Sequence, residues 1–146
     1  MGASNFDRAT LDGNNEAYQR AVEQLRARLN FDFVTMGITA FVGAPLKWVY
    51  SAGETSNRHR RIALAPGHGG IVLKAGKPML FTDIDSELDP REYSSYPIVF
   101  AEDLRSLCAL PLKRNHHVIA VLLCAFRDVS ESNAQAFRSL IADELR

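Results

Sequence analysis

The sequence predicts an α+β domain, an antiparallel sheet whose one face is covered by helices from the two ends of the chain. Three observations lead there. Apolar residues recur at helical spacing near both termini. The apolar segments between them read as strands joined mainly by hairpins, which implies antiparallel pairing. A length of 146 residues with 47% hydrophobic side chains suits one domain around one core.

The first helix is read over Asn15 to Asn30, where Tyr18, Val22, Leu25 and Leu29 share one face. Asn14 or Asn15 can cap it, and Arg20, Glu23, Arg26 and Arg28 take the solvent side. Phe33 to Val42 reads as a strand, Gly43-Ala44-Pro45 as a turn, and Leu46 to Ala52, with Trp48 and Tyr50, as the returning strand. After the polar loop Gly53 to Asn57 comes a third strand, Arg60 to Ala65. A short helix over Gly70 to Lys74 ends at Gly76, suited to the left-handed position after a helix, and Pro78 blocks continuation. Met79 to Thr82 is a strand and Asp83 to Ser94 a polar loop. Pro97 opens a helix of about two turns, to Leu104. Ser106 to Leu112 and Val118 to Phe126 form a strongly apolar hairpin that turns over Lys113 to His117. Ser132 and Gln135 have capping-box spacing, and Phe137, Leu140, Ile141 and Leu145 mark one face of a last helix. Residues 1–13 are expected to be a disordered or expression-derived tail, and 14–146 one domain.

Charge removes whole classes of partner. The 17 basic and 17 acidic side chains cancel, and no strongly basic run appears, so nothing points to nucleic acid. No apolar run reaches the roughly 18 residues needed to span a bilayer, and the start of the chain lacks a secretory profile. Cys108 and Cys124 sit inside apolar runs without a Cys-x-x-Cys pair and read as buried free thiols in a reducing compartment. Those features together favour the cytoplasm. His59, His68, His116 and His117 lack metal-ligand spacing. The acidic run Asp83, Asp85, Glu87, Asp89 lacks the glycine and glutamate of a calcium loop. Arg58, Arg60 and Arg61 read as a solvated basic face.

Two segments carry more chemistry. Pro66-Gly67-His68-Gly69-Gly70-Ile71 and Ser94-Ser95-Tyr96-Pro97-Ile98 each read as a loop running into a helix start. Such a start offers unpaired N–H groups and partial positive charge, which suits a small anion. Pro97 has no N–H to waste at the first helical position, so Ile98 is the first donor. Gly69 and Gly70 allow close approach of backbone. Two dipole ends of about half a charge each roughly neutralise a monoanion. The absence of Arg or Lys from both segments favours a single charge over sulfate or phosphate.

The run Arg61-Ile62-Ala63-Leu64-Ala65-Pro66-Gly67-His68-Gly69-Gly70-Ile71-Val72, then Gly76-Lys77-Pro78, resembles the glycine loop and Gly-x-Pro of GAF domains. Arg105-Ser106-Leu107-Cys108-Ala109-Leu110-Pro111-Leu112 is similar to the GAF strand ending in Val-Pro-Leu, and Val118 to Phe126 to its partner. The likeness spans about Asn15 to Leu145. It implies a GAF-type antiparallel sheet, with terminal helices on one face and short helices around a ligand pocket on the other. Within the family, Trp48, the glycine loop and Tyr96-Pro97-Ile98 resemble the nitrate-receptor branch of the Nre two-component system. That resemblance implies a nitrate site formed by Trp48, Gly70, Ile71, Tyr96, Pro97 and Ile98. Trp48 and Tyr96 would form walls, and Gly70, Ile71 and Ile98 would donate backbone N–H bonds. Gly70 stands where the family loop usually carries a larger residue, a departure that bears on pocket size.

The implied function is a cytoplasmic receptor for nitrate or a similar monoanion, not an enzyme and without a cofactor, that modulates a sensor histidine kinase. The polar segment from Asp83 to Tyr96 is the expected mover, and a homodimer through the terminal helices is a further expectation. Two alternatives stay open on the residues alone. One GAF branch reduces free methionine sulfoxide, which here would need Cys108 or Cys124 as an exposed, activated thiol. The other is a ligand-free interaction module whose cavity is filled by its own side chains.

Overall fold

The computed structural model describes residues 15–39, 45–55, 63–64 and 76–144. Helix α1 (Asn15–Leu29) is followed by strands β1 (Phe33–Thr39), β2 (Leu46–Ala52), β3 (Ala63–Leu64) and β4 (Met79–Phe81). Helix α2 (Ile84–Glu87), a 3-10 helix (Pro90–Ser95) and helix α3 (Pro97–Ala101) come next, then β5 (Ser106–Arg114), β6 (His117–Phe126) and helix α4 (Glu131–Glu144). The strands form a six-stranded sheet in the order β3-β2-β1-β6-β5-β4, and every neighbouring pair is antiparallel. This is the α+β architecture that the hairpins predict.

Strict alternation along β5 and β6 divides the interior in two. Cys108, Leu110, Leu112, Ala120, Leu122, Cys124 and Phe126 face one core, which Tyr18, Val22 and Leu25 of α1 and Phe137 and Leu140 of α4 complete. Leu107, Ala109, Val121, Leu123 and Ala125 face the other, which is covered by Ile84, Leu88, Ile98, Val99 and Leu104. The terminal helices therefore lie on one face of the sheet and the short helices on the other.

A bulge in β2 assigns its aromatic residues to different faces. Tyr50 pairs with Met36 and Trp48 with Gly37, leaving Val49 as the extra residue. Tyr50 packs on the terminal-helix core and Trp48 on the opposite one. Gly37 makes room for this: a Cβ there would stand 2.6 Å from Leu46 Cδ2 and 3.0 Å from Trp48 Cε3.

Four local expectations are corrected. Residues Asp83 to Ser94 are not a plain loop but hold α2 and the 3-10 helix. Ile84 and Leu88, four apart, anchor this segment in the core, the Glu87 carboxylate accepts the Asp83 N–H at 2.6 Å, and Asp89 accepts the N–H of Arg91 just after Pro90. Helix α3 stops at Ala101 rather than Leu104, because Asp103 turns left-handed at φ 54°. The β5–β6 turn is tighter than Lys113 to His117. Asn115 and His116 both have positive φ, so strand pairing runs through Arg114 and His117. Ser132 is no cap, since α4 already begins at Glu131. The glycine loop, the Gly70 to Lys74 helix, residues 1–13 and most of the Arg60 to Ala65 strand lie outside the described residues.

Candidate functional site

Of the six residues expected to hold the anion, Trp48, Tyr96, Pro97 and Ile98 are described, while Gly70 and Ile71 lie outside the described residues. The sheet and α3 bring Trp48, Tyr96 and Ile98 to the same apolar core, although about a third of the chain separates Trp48 from the other two. Trp48 comes from β2, placed by the bulge at Val49 and the missing side chain of Gly37. Tyr96 precedes α3, with Pro97 as its first residue. The Tyr96 ring meets Phe81 edge-on at 6.1 Å, and partial burial, aided by the negative charge of Glu92, raises its phenol above the ordinary value. Its hydroxyl is therefore neutral near pH 7.

Two N–H groups in this core have no acceptor among the described residues. The Trp48 indole Nε1 is buried without a hydrogen-bond partner, in a side chain only 4% exposed. The Ile98 backbone N–H has no acceptor among the described residues, whereas Val99 N–H, next along, donates to the Tyr96 carbonyl at 3.1 Å. Position is the local reason: Ile98 is the second residue of α3, and the first N–H groups of a helix have no carbonyl one turn back, while Pro97 before it has no N–H at all. A buried donor without an acceptor costs about 1–3 kcal/mol, so both groups suit an acceptor brought by a guest. Sequence reasoning treated Trp48 only as a wall. That its indole N–H is buried without an acceptor among the described residues shows only when burial and partners are known.

Charge near this core is internally cancelled. Glu102, fully buried at the end of α3, pairs with Arg127 at 2.8 Å, and the Arg127 guanidinium lies 5.8 Å from the centre of the Phe33 ring. A cavity of about 350 Å³ opens beside α3, lined by Tyr93, Val99, Phe100 and Arg127 among others. Trp48, Tyr96 and Ile98 do not line it, so it is not the predicted site.

Both cysteines are buried and neither is in a disulfide. They stand directly opposite each other on β5 and β6 and face the terminal-helix core, across the sheet from Trp48 and Ile98. Burial pushes the Cys108 thiol up to about 12. Among the described residues no cluster of His, Cys, Asp or Glu is placed to hold a metal, and no helix is long and apolar enough to cross a membrane.

Comparison with known proteins agrees with this architecture. The GAF domain family matches residues 14–145. The chain is 31% identical to a Staphylococcus aureus NreA protein mutated in its nitrate binding site, covering 82% of this chain and 88% of that one, with a TM-score of 0.71. It is 32% identical to hypothetical protein SA1058 of S. aureus, over 77% of this chain and 94% of that one, with a TM-score of 0.69. A type II free methionine-R-sulfoxide reductase from Thermoplasma acidophilum shares the fold alone, at 17% identity over 88% and 86% of the two chains and a TM-score of 0.60. No curated protein matches the chain. The antiparallel sheet between terminal and short helices, and the family match over nearly the whole length, lead to one assignment: the chain belongs to the GAF domain family.

Proposed function

We propose that this GAF domain is a cytoplasmic receptor for a small monoanion, nitrate, and that occupancy modulates a sensor histidine kinase. The observation that carries the anion reading is a pair of donors on one apolar core, Trp48 Nε1–H and Ile98 N–H, that have no acceptor among the described residues. Nitrate is planar and weakly hydrated, with three oxygens that can each accept. In this reading the Trp48 indole and the Ile98 amide donate to its oxygens, together with the Gly70 and Ile71 amides. Tyr96 closes the wall, and Pro97 leaves the Ile98 amide free. Water exclusion by the surrounding apolar side chains strengthens each bond. The likeness to an NreA protein with a nitrate binding site supports nitrate as the guest. The kinase role rests on the resemblance to the Nre branch, and the exposed backs of α1 and α4 are the surface assigned to that contact or to a second copy.

The reading is of a binding protein rather than an enzyme. A thiol-based reduction of a sulfoxide needs an exposed, low-pKa cysteine next to the bound substrate. Cys108 and Cys124 are buried on the far side of the sheet, and the Cys108 thiol is shifted in the unreactive direction.

Magnitude sets the expected affinity. Four heavy atoms at a ceiling of about 1.5 kcal/mol each give about 6 kcal/mol, a dissociation constant of tens of micromolar. Calorimetric titration with nitrate, chloride and sulfate tests the proposal. The expected result is saturable nitrate heat in that range and none with sulfate. Equal heats for the three salts, or none at all, end the nitrate assignment.

A further inference from the structure

Glu102 is fully buried, yet it is a carboxylate. Its Oε1 accepts the Thr55 N–H at 3.0 Å and the Thr55 hydroxyl at 3.1 Å. The same oxygen takes Arg127 Nη2 at 2.8 Å. The backbone of Glu102 is engaged as well: its N–H donates to the Ile98 carbonyl at 3.1 Å, and its own carbonyl accepts from Arg127 Nε at 2.9 Å. Arg127 continues outward to the Gly53 carbonyl at 3.1 Å, and its backbone N–H donates to Asp32 Oδ2 at 2.8 Å. One side chain thus ties three places together: the end of α3, the segment just after β2, and the end of β6. The first holds Ile98 and the second continues the strand that bears Trp48.

A buried ion pair is a poor way to gain stability alone, since desolvation offsets most of the attraction and apolar packing of equal volume often does as well. Its geometry can nevertheless fix one arrangement among several. Helix α3 has five residues, too few to hold its own position. We propose that Glu102 is a positioning residue. It clamps α3 to the end of β2 and so sets the spacing between the Ile98 and Trp48 donors. This rests on the anion reading above as far as the ligand is concerned; the clamp itself is a property of the free protein. The Arg127 partner also cancels the Glu102 charge, so the clamp puts no net negative charge beside a bound anion.

The test compares wild type, Glu102→Gln, Glu102→Ala and Thr55→Ala by nitrate calorimetry and by amide hydrogen exchange of the ligand-free proteins. Gln keeps an oxygen acceptor for Thr55, so Glu102→Gln should bind nitrate within about threefold of wild type. Glu102→Ala removes all three hydrogen bonds that Oε1 accepts and should weaken nitrate by about tenfold or more. Its Val99 and Leu104 amides should exchange at least about tenfold faster while those of Leu122 and Cys124 in β6 hold their rates. If Glu102→Ala does not fold, Thr55→Ala, at an exposed residue, should show the same pattern at about threefold. Uniformly faster exchange with unchanged nitrate affinity means a merely structural role and overturns the proposal, as does wild-type behaviour in both measurements. Should the wild type bind no nitrate, the receptor reading falls. The exchange pattern then decides the clamp by itself: selective loosening of α3 sustains it, and uniform or absent change overturns it.

Discussion

Trp48 shows how much one side chain's surroundings decide. A tryptophan on a strand is ordinarily packing, and its indole N–H usually finds a carbonyl when buried. Here the N–H finds none. Trp48→Phe keeps most of the ring and removes the donor. We expect it to weaken nitrate about tenfold, about 1.4 kcal/mol, with little change in melting temperature. Calorimetry on the variant checks this, and an unchanged affinity would remove the indole from the site. Cys108 gives a test of opposite kind. Burial raises its thiol from 9.0 to about 12 in the folded protein. The stability this contributes is whole below the unfolded value and is lost as pH rises from about 9 towards 12, because only the unfolded chain then sheds the proton. Between about pH 8 and pH 10.5, wild type should lose about 2 kcal/mol more than Cys108→Ala in urea denaturation. Equal losses would mean the thiol ionises in place. Tyr50 and Tyr96, also raised, act in the same direction in both proteins.

Elements repeat the lesson at larger size. Helix α1 was legible because Tyr18, Val22 and Leu25 repeat the helical period and are all buried. Helix α2 and the 3-10 helix were missed because a four-residue helix has no period to read. Only the Ile84–Leu88 spacing and the Asp89-Pro90 pair hinted at them, and their order comes from burial of those two apolar residues. The β5–β6 turn was placed too wide for a related reason: His116 takes a left-handed conformation at φ 69° that is ordinarily left to glycine. His116→Gly should therefore stabilise the hairpin by up to about 1 kcal/mol. Urea midpoints check it, and a loss of stability would show that the imidazole contributes more than its strain costs. The short α3 is the element on which the proposed site turns, since it carries the Ile98 N–H just after Pro97 at one end and Glu102 follows it at the other.

For the molecule as a whole, two cores on one sheet separate tasks. The core under α1 and α4 holds the thiols and the Phe31, Phe126 and Phe137 rings, which lie 5.0 to 5.8 Å apart. The core under the short helices keeps the unsatisfied donors. A guest bound only by the folded state raises the unfolding free energy by mass action. With a dissociation constant of tens of micromolar, 1 mM nitrate should add about 2 kcal/mol and raise the melting temperature by about 4–8 °C. Equimolar sulfate should add nothing. Thermal scans at matched ionic strength check this, and equal shifts for both salts would assign the effect to salt rather than to a site.

Secondary periodicity and hairpin order were enough to determine an antiparallel α+β sheet, because period and turn chemistry are local and survive in one dimension, while the GAF type came from the resemblance of landmarks such as Gly76-Lys77-Pro78 and Leu110-Pro111-Leu112 to that family. The helix start at Tyr96-Pro97-Ile98 was legible for the same reason, and α3 does begin at Pro97. Tertiary structure alone decided that Trp48 shares a core with them, that Val49 bulges so that Trp48 and Tyr50 part, and that Glu102 reaches Thr55 and Arg127. Each of these depends on which strand lies beside which and on where a buried donor finds its acceptor. Contacts of that range leave no periodic trace in the chain.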